Sequence, residues 1–162
     1  MASPKLTDLV ATLAASSVEL IVVGGLAAVA QGAPITPHDL DIVHRRTPEN
    51  IERLLSVLTS VDARYRGDPP DKILRPTSEI LAGTGHSLLA TTFGPLDVLG
   101  AIEGGRDYDA LLPRSIEALI GSRTVHVLSL EMIVELKRAS SHPKDRRVLP
   151  ELEETLRRSR GE

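Results

Sequence analysis

The sequence contains no cysteine. That absence excludes a disulfide scaffold, a thiolate zinc site, an iron–sulfur cluster and a cysteine nucleophile. Aromatic residues are almost missing as well, with only Tyr65, Phe93 and Tyr108. The core must therefore be aliphatic, and base stacking on an aromatic platform is not the mode of any nucleic-acid contact here. No apolar run approaches the roughly 18 residues that a membrane span needs. The stretch Met1–Leu13 lacks the basic-then-apolar pattern of a signal peptide, so a cytoplasmic protein with no membrane partner is expected. There is no excess of positive charge either. The net charge of −3 is too acidic for a protein that holds nucleic acid over its whole surface.

What is present is ordinary globular composition, 41% apolar and 25% charged over 162 residues. Residues 1–162 read as one domain that can bury a sizeable core unaided. The charge is uneven. Residues 137–160 hold eight Lys/Arg against four acids, while residues 1–136 carry a net −6. The plain reading of that basic segment is a solvated helix face of mixed charge.

Along the chain, Ser3 and Pro4 can open a helix whose apolar positions are Leu6, Leu9, Val10 and Leu13. Val18–Val23 reads as a buried strand bounded by Gly24–Gly25, and Leu26–Gln31 as a short Ala-rich helix. His38–Val43 is a second strand. Thr47 caps a helix with Pro48 at its first position and Ile51, Leu54, Leu55, Leu58 and Val61 along its stripe. Residues 62–76 hold Gly67, Pro69, Pro70 and Pro76 and read as loop, followed by a helical turn over Thr77–Ala82. Two hairpins follow, one around Gly94–Pro95 and one around Gly121–Ser122, where glycine suits a type II′ turn. Ser129 caps a helix to about Ala139, and another runs from about Lys144, with Pro150 kinking it or starting a new segment. The fold class is α/β (α+β): a mixed β-sheet flanked by helices, with helices at the C-terminus.

Several chemical motifs are absent. There is no G-x-x-x-x-G-K-[ST], no G-x-S-x-G elbow and no H-E-x-x-H, and Gly83-x-Gly85 lacks the third glycine of a dinucleotide fingerprint. The five histidines are scattered and read as surface or loop residues. Asp39-Leu40-Asp41 differs. Residues two apart on a strand share a face, so both carboxylates project together while Leu40 and Ile42 enter the core. Adjacent carboxylates repel unless a cation sits between them, and a divalent metal with hard oxygen ligands is the usual answer. Taken alone, the pair could equally line the polar face of an edge strand. Leu96-Asp97-Val98 repeats the alternation on another strand and would complete a three-carboxylate, two-metal site. Val23-Gly24-Gly25-Leu26 is a strand, a glycine turn and a helix start. Its small residues would let backbone N–H groups reach a phosphate, or it is an ordinary strand-to-helix turn.

This arrangement of Gly24–Gly25, Asp39, Asp41 and Asp97 resembles the active site of the DNA polymerase β-like nucleotidyltransferase superfamily. Val127–Glu131, Leu136–Arg138 and Pro143–Asp145 look like the closing motif of AbiEii-type toxin nucleotidyltransferases, in which a helical lysine and a later Lys-Asp pair face the site. The positions four and two residues before Asp39, an Arg and a Thr in many relatives, are Ile35 and Pro37 here. The resemblance implies a nucleotidyltransferase fold and a Mg²⁺-dependent transfer of a nucleoside monophosphate from an NTP to a hydroxyl acceptor. The implied acceptor is an RNA end or a protein, in a toxin–antitoxin setting with a cognate partner chain. A small-molecule antibiotic acceptor, or a catalytically silent binding module, are the other readings.

The resemblance further implies roles. Asp39 and Asp41 would bridge two Mg²⁺ (or Mn²⁺) ions, and Asp97 would hold the catalytic one and accept the proton of the attacking hydroxyl. Gly24 and Gly25 would bring backbone amides to the triphosphate. Lys137 would be a phosphate cation or a solvated helix lysine. Asp145 would orient Lys137, contact nucleotide, or serve as a first-turn acid on its helix dipole. Arg64, Arg66, Lys72 and Arg75 are candidate acceptor contacts or ordinary polar loop residues.

Overall fold

Among residues 4–67 and 72–162, which the computed structural model describes, seven strands form one mixed sheet. Ser3, expected to cap the first helix, lies outside the described residues. Helix α1 (Pro4–Ala15) buries Leu6, Leu9, Val10 and Leu13, the stripe that its spacing sets. Strand β1 (Leu20–Val23) is buried along its whole length and leads directly into α2 (Gly24–Ala30). Strand β2 (Leu40–His44) follows, then α3 (Pro48–Ser60), whose first turn is capped by Thr47 accepting from the Asn50 N–H. After a short strand β3 (Arg64–Tyr65) and one turn of helix, α4 (Ser78–Leu81), comes the hairpin β4 (His86–Thr91) and β5 (Gly94–Leu99). The short helix α5 (Tyr108–Leu111) precedes a second hairpin, β6 (Ser115–Ile120) and β7 (Arg123–Leu128). The chain closes with α6 (Leu130–Ala139) and α7 (Pro143–Ser159).

The sheet order is β3-β4-β5-β2-β1-β7-β6. Strand β2 lies at its centre, antiparallel to β1 and parallel to β5, with Asp41 directly opposite Asp97 in the β2–β5 register. Leu40, Ile42, Leu96 and Val98 alternate with those acids and are almost fully buried. Burial of four such aliphatic side chains is worth about 1.5–3 kcal/mol each, and it locks the strand register. A slip by one residue would turn the acids into the core.

Two side-chain amides, of buried Asn50 and half-buried Gln31, tie the elements around this sheet. The Asn50 side chain accepts from the Glu19 N–H and donates to the Glu19 and Arg45 carbonyls, fixing α3 against the β1 and β2 ends. Gln31, at the end of α2, donates to the Ala27 and Leu128 carbonyls and accepts from the Leu130 N–H. It thereby ties α2 to the β7–α6 junction.

The structure revises several sequence expectations. Helix α2 begins at Gly24 rather than Leu26, because glycine takes the left-handed φ of 70° that the turn requires. The first hairpin turns at Thr92–Phe93, so Gly94 and Pro95 belong to β5; pairing with β2 starts only at Leu96, beyond the proline's missing N–H. Residues 62–76 are not all loop: Arg64 and Tyr65 pair with β4, and Asp62 accepts from both Arg64 and Arg75. Helix α7 runs unbroken through Pro150, whose ring is exposed. His44 is not a surface histidine. It is buried on β2, where its Nε2 donates to the Leu81 carbonyl and burial holds its pKa below the usual value.

Candidate active site

The three acids meet because of two simple geometries. Asp39, just before β2, and Asp41 within it are two residues apart, so they project from the same side. The parallel register then sets Asp97 beside Asp41 on the same face of the next strand. Each of Asp39, Asp41 and Asp97 offers a carboxylate oxygen, and these oxygens lie within 4.8 Å of one another. All three residues are half-buried.

Like charges this close are costly, and the cost shows at Asp41. Burial, the neighbouring Asp39 charge and contact with Asp97 push its pKa up to about 8, with Lys137 opposing them. At neutral pH without a cation Asp41 therefore carries a proton. The donor set is all carboxylate oxygen, the chemistry that suits Mg²⁺ or Mn²⁺ and not a thiol- or imidazole-seeking metal. The residues fit a hard divalent ion.

Gly24 makes room for Asp41. A Cβ at position 24 would fall well inside van der Waals contact with Asp41 Oδ2, so the turn after β1 tolerates only glycine if the carboxylate is to keep its place. Gly25 approaches more loosely, its missing Cβ facing the Pro37 ring at 3.3 Å. Both glycines line the cleft that contains the acids, which has a volume of about 330 Å³. One wall is the segment Ile35–His38. The opposite wall is formed by Ile133 and Lys137 of α6 and Lys144, Val148 and Leu152 of α7. A smaller cavity of about 160 Å³ adjoins it past Asp41 and Lys137 and is lined by Leu99, Ile102, Glu103 and Leu136.

Lys137 reaches Asp145 at 2.8 Å, and the Ser140 hydroxyl donates to the other Asp145 oxygen at 2.6 Å. Burial works against the charged form of Asp145, but these bonds outweigh it and hold its pKa below the usual carboxylate range. Asp145 also sits in the first turn of α7. Among the candidate acceptor contacts, Arg64 and Arg75 both turn to Asp62, and Lys72 is exposed. Arg66 goes elsewhere: its guanidinium lies 2.8 Å from Asp97 Oδ1. Sequence reasoning did not pair Arg66 with Asp97. Nothing in residues 62–76 signals that β3 forms beside β4 and carries Arg66 to the acids. Lys144, the lysine of the Lys-Asp pair that the resemblance implied would face the site, is a second cation on the cleft wall.

The sequence matches no protein-family model and no curated protein. Solved structures do resemble it. The Thermotoga maritima protein TM1012, a provisional nucleotidyltransferase, superposes with a TM-score of 0.57 at 21% identity, covering 93% of this chain and 96% of that one. The lincosamide antibiotic adenylyltransferase LnuA, solved with lincomycin bound, gives 0.59 at 13% identity over 92% and 94%. The antibiotic-resistance factor ANT(2'')-Ia gives 0.57 at 15% identity over 93% and 80%. The chain has the nucleotidyltransferase fold. No helix among the described residues is long and apolar enough to cross a membrane.

Proposed function

We propose that the protein is a Mg²⁺-dependent nucleotidyltransferase, with residues 1–162 forming one such domain. It moves a nucleoside monophosphate from an NTP to the hydroxyl of an RNA end or a protein, in a toxin–antitoxin setting. The observation that carries this reading is the convergence of Asp39, Asp41 and Asp97 within 4.8 Å of one another, beside a glycine turn shaped to admit Asp41. In the reaction the acceptor oxygen bonds to the α-phosphorus, the bond from that phosphorus to the bridging oxygen breaks, and pyrophosphate leaves. Asp97 takes the acceptor proton. Asp39 and Asp41 would hold the divalent ions, with Asp97 as a further ligand. When bound, those ions neutralise charge on the attacking and leaving oxygens.

The chain's other residues bind and orient the nucleotide. Gly24 and Gly25 present backbone amides to the triphosphate at the mouth of the cleft. Lys137 contributes a point charge toward the phosphates, and its pairing with Asp145 holds it there between substrates. The apolar wall of Ile35, Val148 and Leu152 covers the nucleoside.

The test is incubation with each α-labelled NTP, Mg²⁺ or Mn²⁺, and three acceptor pools: RNA, cell protein, and the small antibiotics that LnuA and ANT(2'')-Ia modify. Label on RNA or protein is expected. Label only on the antibiotics would move the acceptor class to small molecules. No label in any pool, with either metal, would overturn the activity and leave a binding module.

A further inference from the structure

The seven-stranded sheet has two edges, and they are finished differently. At one, β3 is two residues long, carries Arg64 and has its Tyr65 N–H taken by the Leu74 carbonyl. At the other, β6 runs for six residues, each in register with β7, so no bulge interrupts it. It contains no proline and no lysine, and its one charge is Glu117. Short strands, lysines, prolines and bulges are how sheets guard an open edge, and β6 uses none of them. Ile116 and Leu119 are instead 44% and 65% exposed, one on each face of the strand. The two-residue turn Gly121–Ser122 fixes which backbone groups are left over. Ile120 and Arg123 flank it as a hydrogen-bonded pair, and by alternation Ala118 with Val125 and Ile116 with Val127 are bonded too. The Ser129 N–H donating to the Arg114 carbonyl continues the same phase. The N–H and C=O groups of Ser115, Glu117 and Leu119 therefore point outward, and no strand among the described residues pairs with them.

We infer that β6 pairs with β6 of a second copy of this chain, antiparallel and about a two-fold axis at Ala118, joining two sheets into one. The occupant follows from fit. The edge lacks a row of donors and acceptors, which another extended backbone supplies in full. The strand's own sequence suits that role. An axis at Glu117 would set the two Glu117 carboxylates directly opposite each other, which opposes pairing. Moving the axis to Ala118 places Glu117 opposite Leu119 of the second copy, and Ile116 opposite Ile120. The outward groups of Glu117 and Leu119 then bond one another, and the smallest side chain of the strand sits where the copies cross. This pairing covers Ile116 and Leu119 together, which contact through a single face of the strand does not. The interface uses the same patch on both copies, so it closes at two. Each cleft stays open, because β1 and β7 stand between β6 and the strands that carry the acids.

Sedimentation equilibrium of the full chain tests this. Wild type should pass from the 17.4 kDa monomer to twice that mass between about 10 and 500 µM. Leu119→Glu and Leu119→Lys replace the same exposed side chain, so the monomer folds alike in both. In the dimer the glutamate meets Glu117 of the second copy, whereas the lysine forms an ion pair with it, twice over by symmetry. The Leu119→Glu dimer should therefore dissociate at least about tenfold more readily than the Leu119→Lys dimer. Glu117→Pro removes one outward N–H and keeps every bond to β7. It should be monomeric throughout, with a melting temperature close to that of wild type. Equal weakening by both Leu119 variants would overturn the register and with it the inference. So would a Glu117→Pro protein that dimerises as wild type does. A wild type that stays monomeric up to about 500 µM overturns the inference too, and leaves the edge to a strand of some other chain.

Discussion

Loading the site with a divalent ion should expel a proton, and the amount follows from Asp41. With its pKa near 8, Asp41 is protonated in about nine-tenths of molecules at pH 7 and about one-tenth at pH 9. A metal ligand must be deprotonated, so binding Mn²⁺ at pH 7 releases about 0.9 proton and at pH 9 about 0.1. Affinity should rise close to tenfold per pH unit from pH 6 to 7.5 and flatten above 8.5, roughly two orders of magnitude in all. Calorimetric titration of the free protein with Mn²⁺, in two buffers of different ionisation enthalpy, counts the proton directly. A release below about 0.3 proton at pH 7, or an affinity flat from pH 6 to 9, would refute the clustering argument, because only an unusually high Asp41 pKa predicts the release.

Other expectations follow from the same geometry. In the metal-free protein Asp41 has its pKa raised above the unfolded value of 3.8. Its contribution is fully present below that value and is lost as pH rises through about 8, at most on the order of 5 kcal/mol. Asp41→Asn should therefore raise the metal-free melting temperature at pH 8, by about 2–4 °C for each kcal/mol relieved, and change it little at pH 4; equal shifts at the two pH values would count against the repulsion. Gly24→Ala should cost about 1–2 kcal/mol for its left-handed φ alone and displace Asp41, which thermal melts and Mn²⁺ affinity check together. Asp97→Asn should cut nucleotide transfer by orders of magnitude while NTP still binds, whereas Lys137→Ala should chiefly weaken NTP binding. The two variants are separated by comparing labelling rates with nucleotide dissociation constants, and identical profiles would remove the distinction between their roles.

Features set by neighbouring residues were legible from the sequence. Thr47-Pro48 marks the start of α3, the Gly121–Ser122 turn marks the β6–β7 hairpin, and Ser129 marks the start of α6. The alternation around Asp39, Asp41 and Asp97 was visible for the same reason, since a strand shows its two faces in its own residue pattern. What no local pattern contains is adjacency between distant strands. Nothing near Asp41 or Asp97 says that β2 and β5 pair in parallel, in a register that sets those two residues side by side. Arg66 illustrates the same limit. A Pro- and Gly-rich stretch reads as loop, yet Tyr65 bonds through its hydroxyl to Ser87 and through its N–H to the Leu74 carbonyl, and this organised edge aims Arg66 at the acids. His44 was misplaced because a single histidine at the end of an apolar run carries no sign of the carbonyl waiting for it.

Gln31 has a mechanical consequence. One amide bonds to α2, to the end of β7 and to the start of α6, so the glycine turn and the helix bearing Lys137 belong to a single jaw. That jaw cannot widen at its base without breaking these hydrogen bonds. The other cleft wall, α7, buries Leu152 and Leu156 and meets α6 through Lys137–Asp145 at one end, Arg138–Glu153 further along and Arg160–Glu131 at the far end. A phosphate that drew Lys137 away from Asp145 would release the one of these three fastenings that lies at the cleft. On the proposed reading, the lysine that would meet the phosphates is also the latch between α6 and α7.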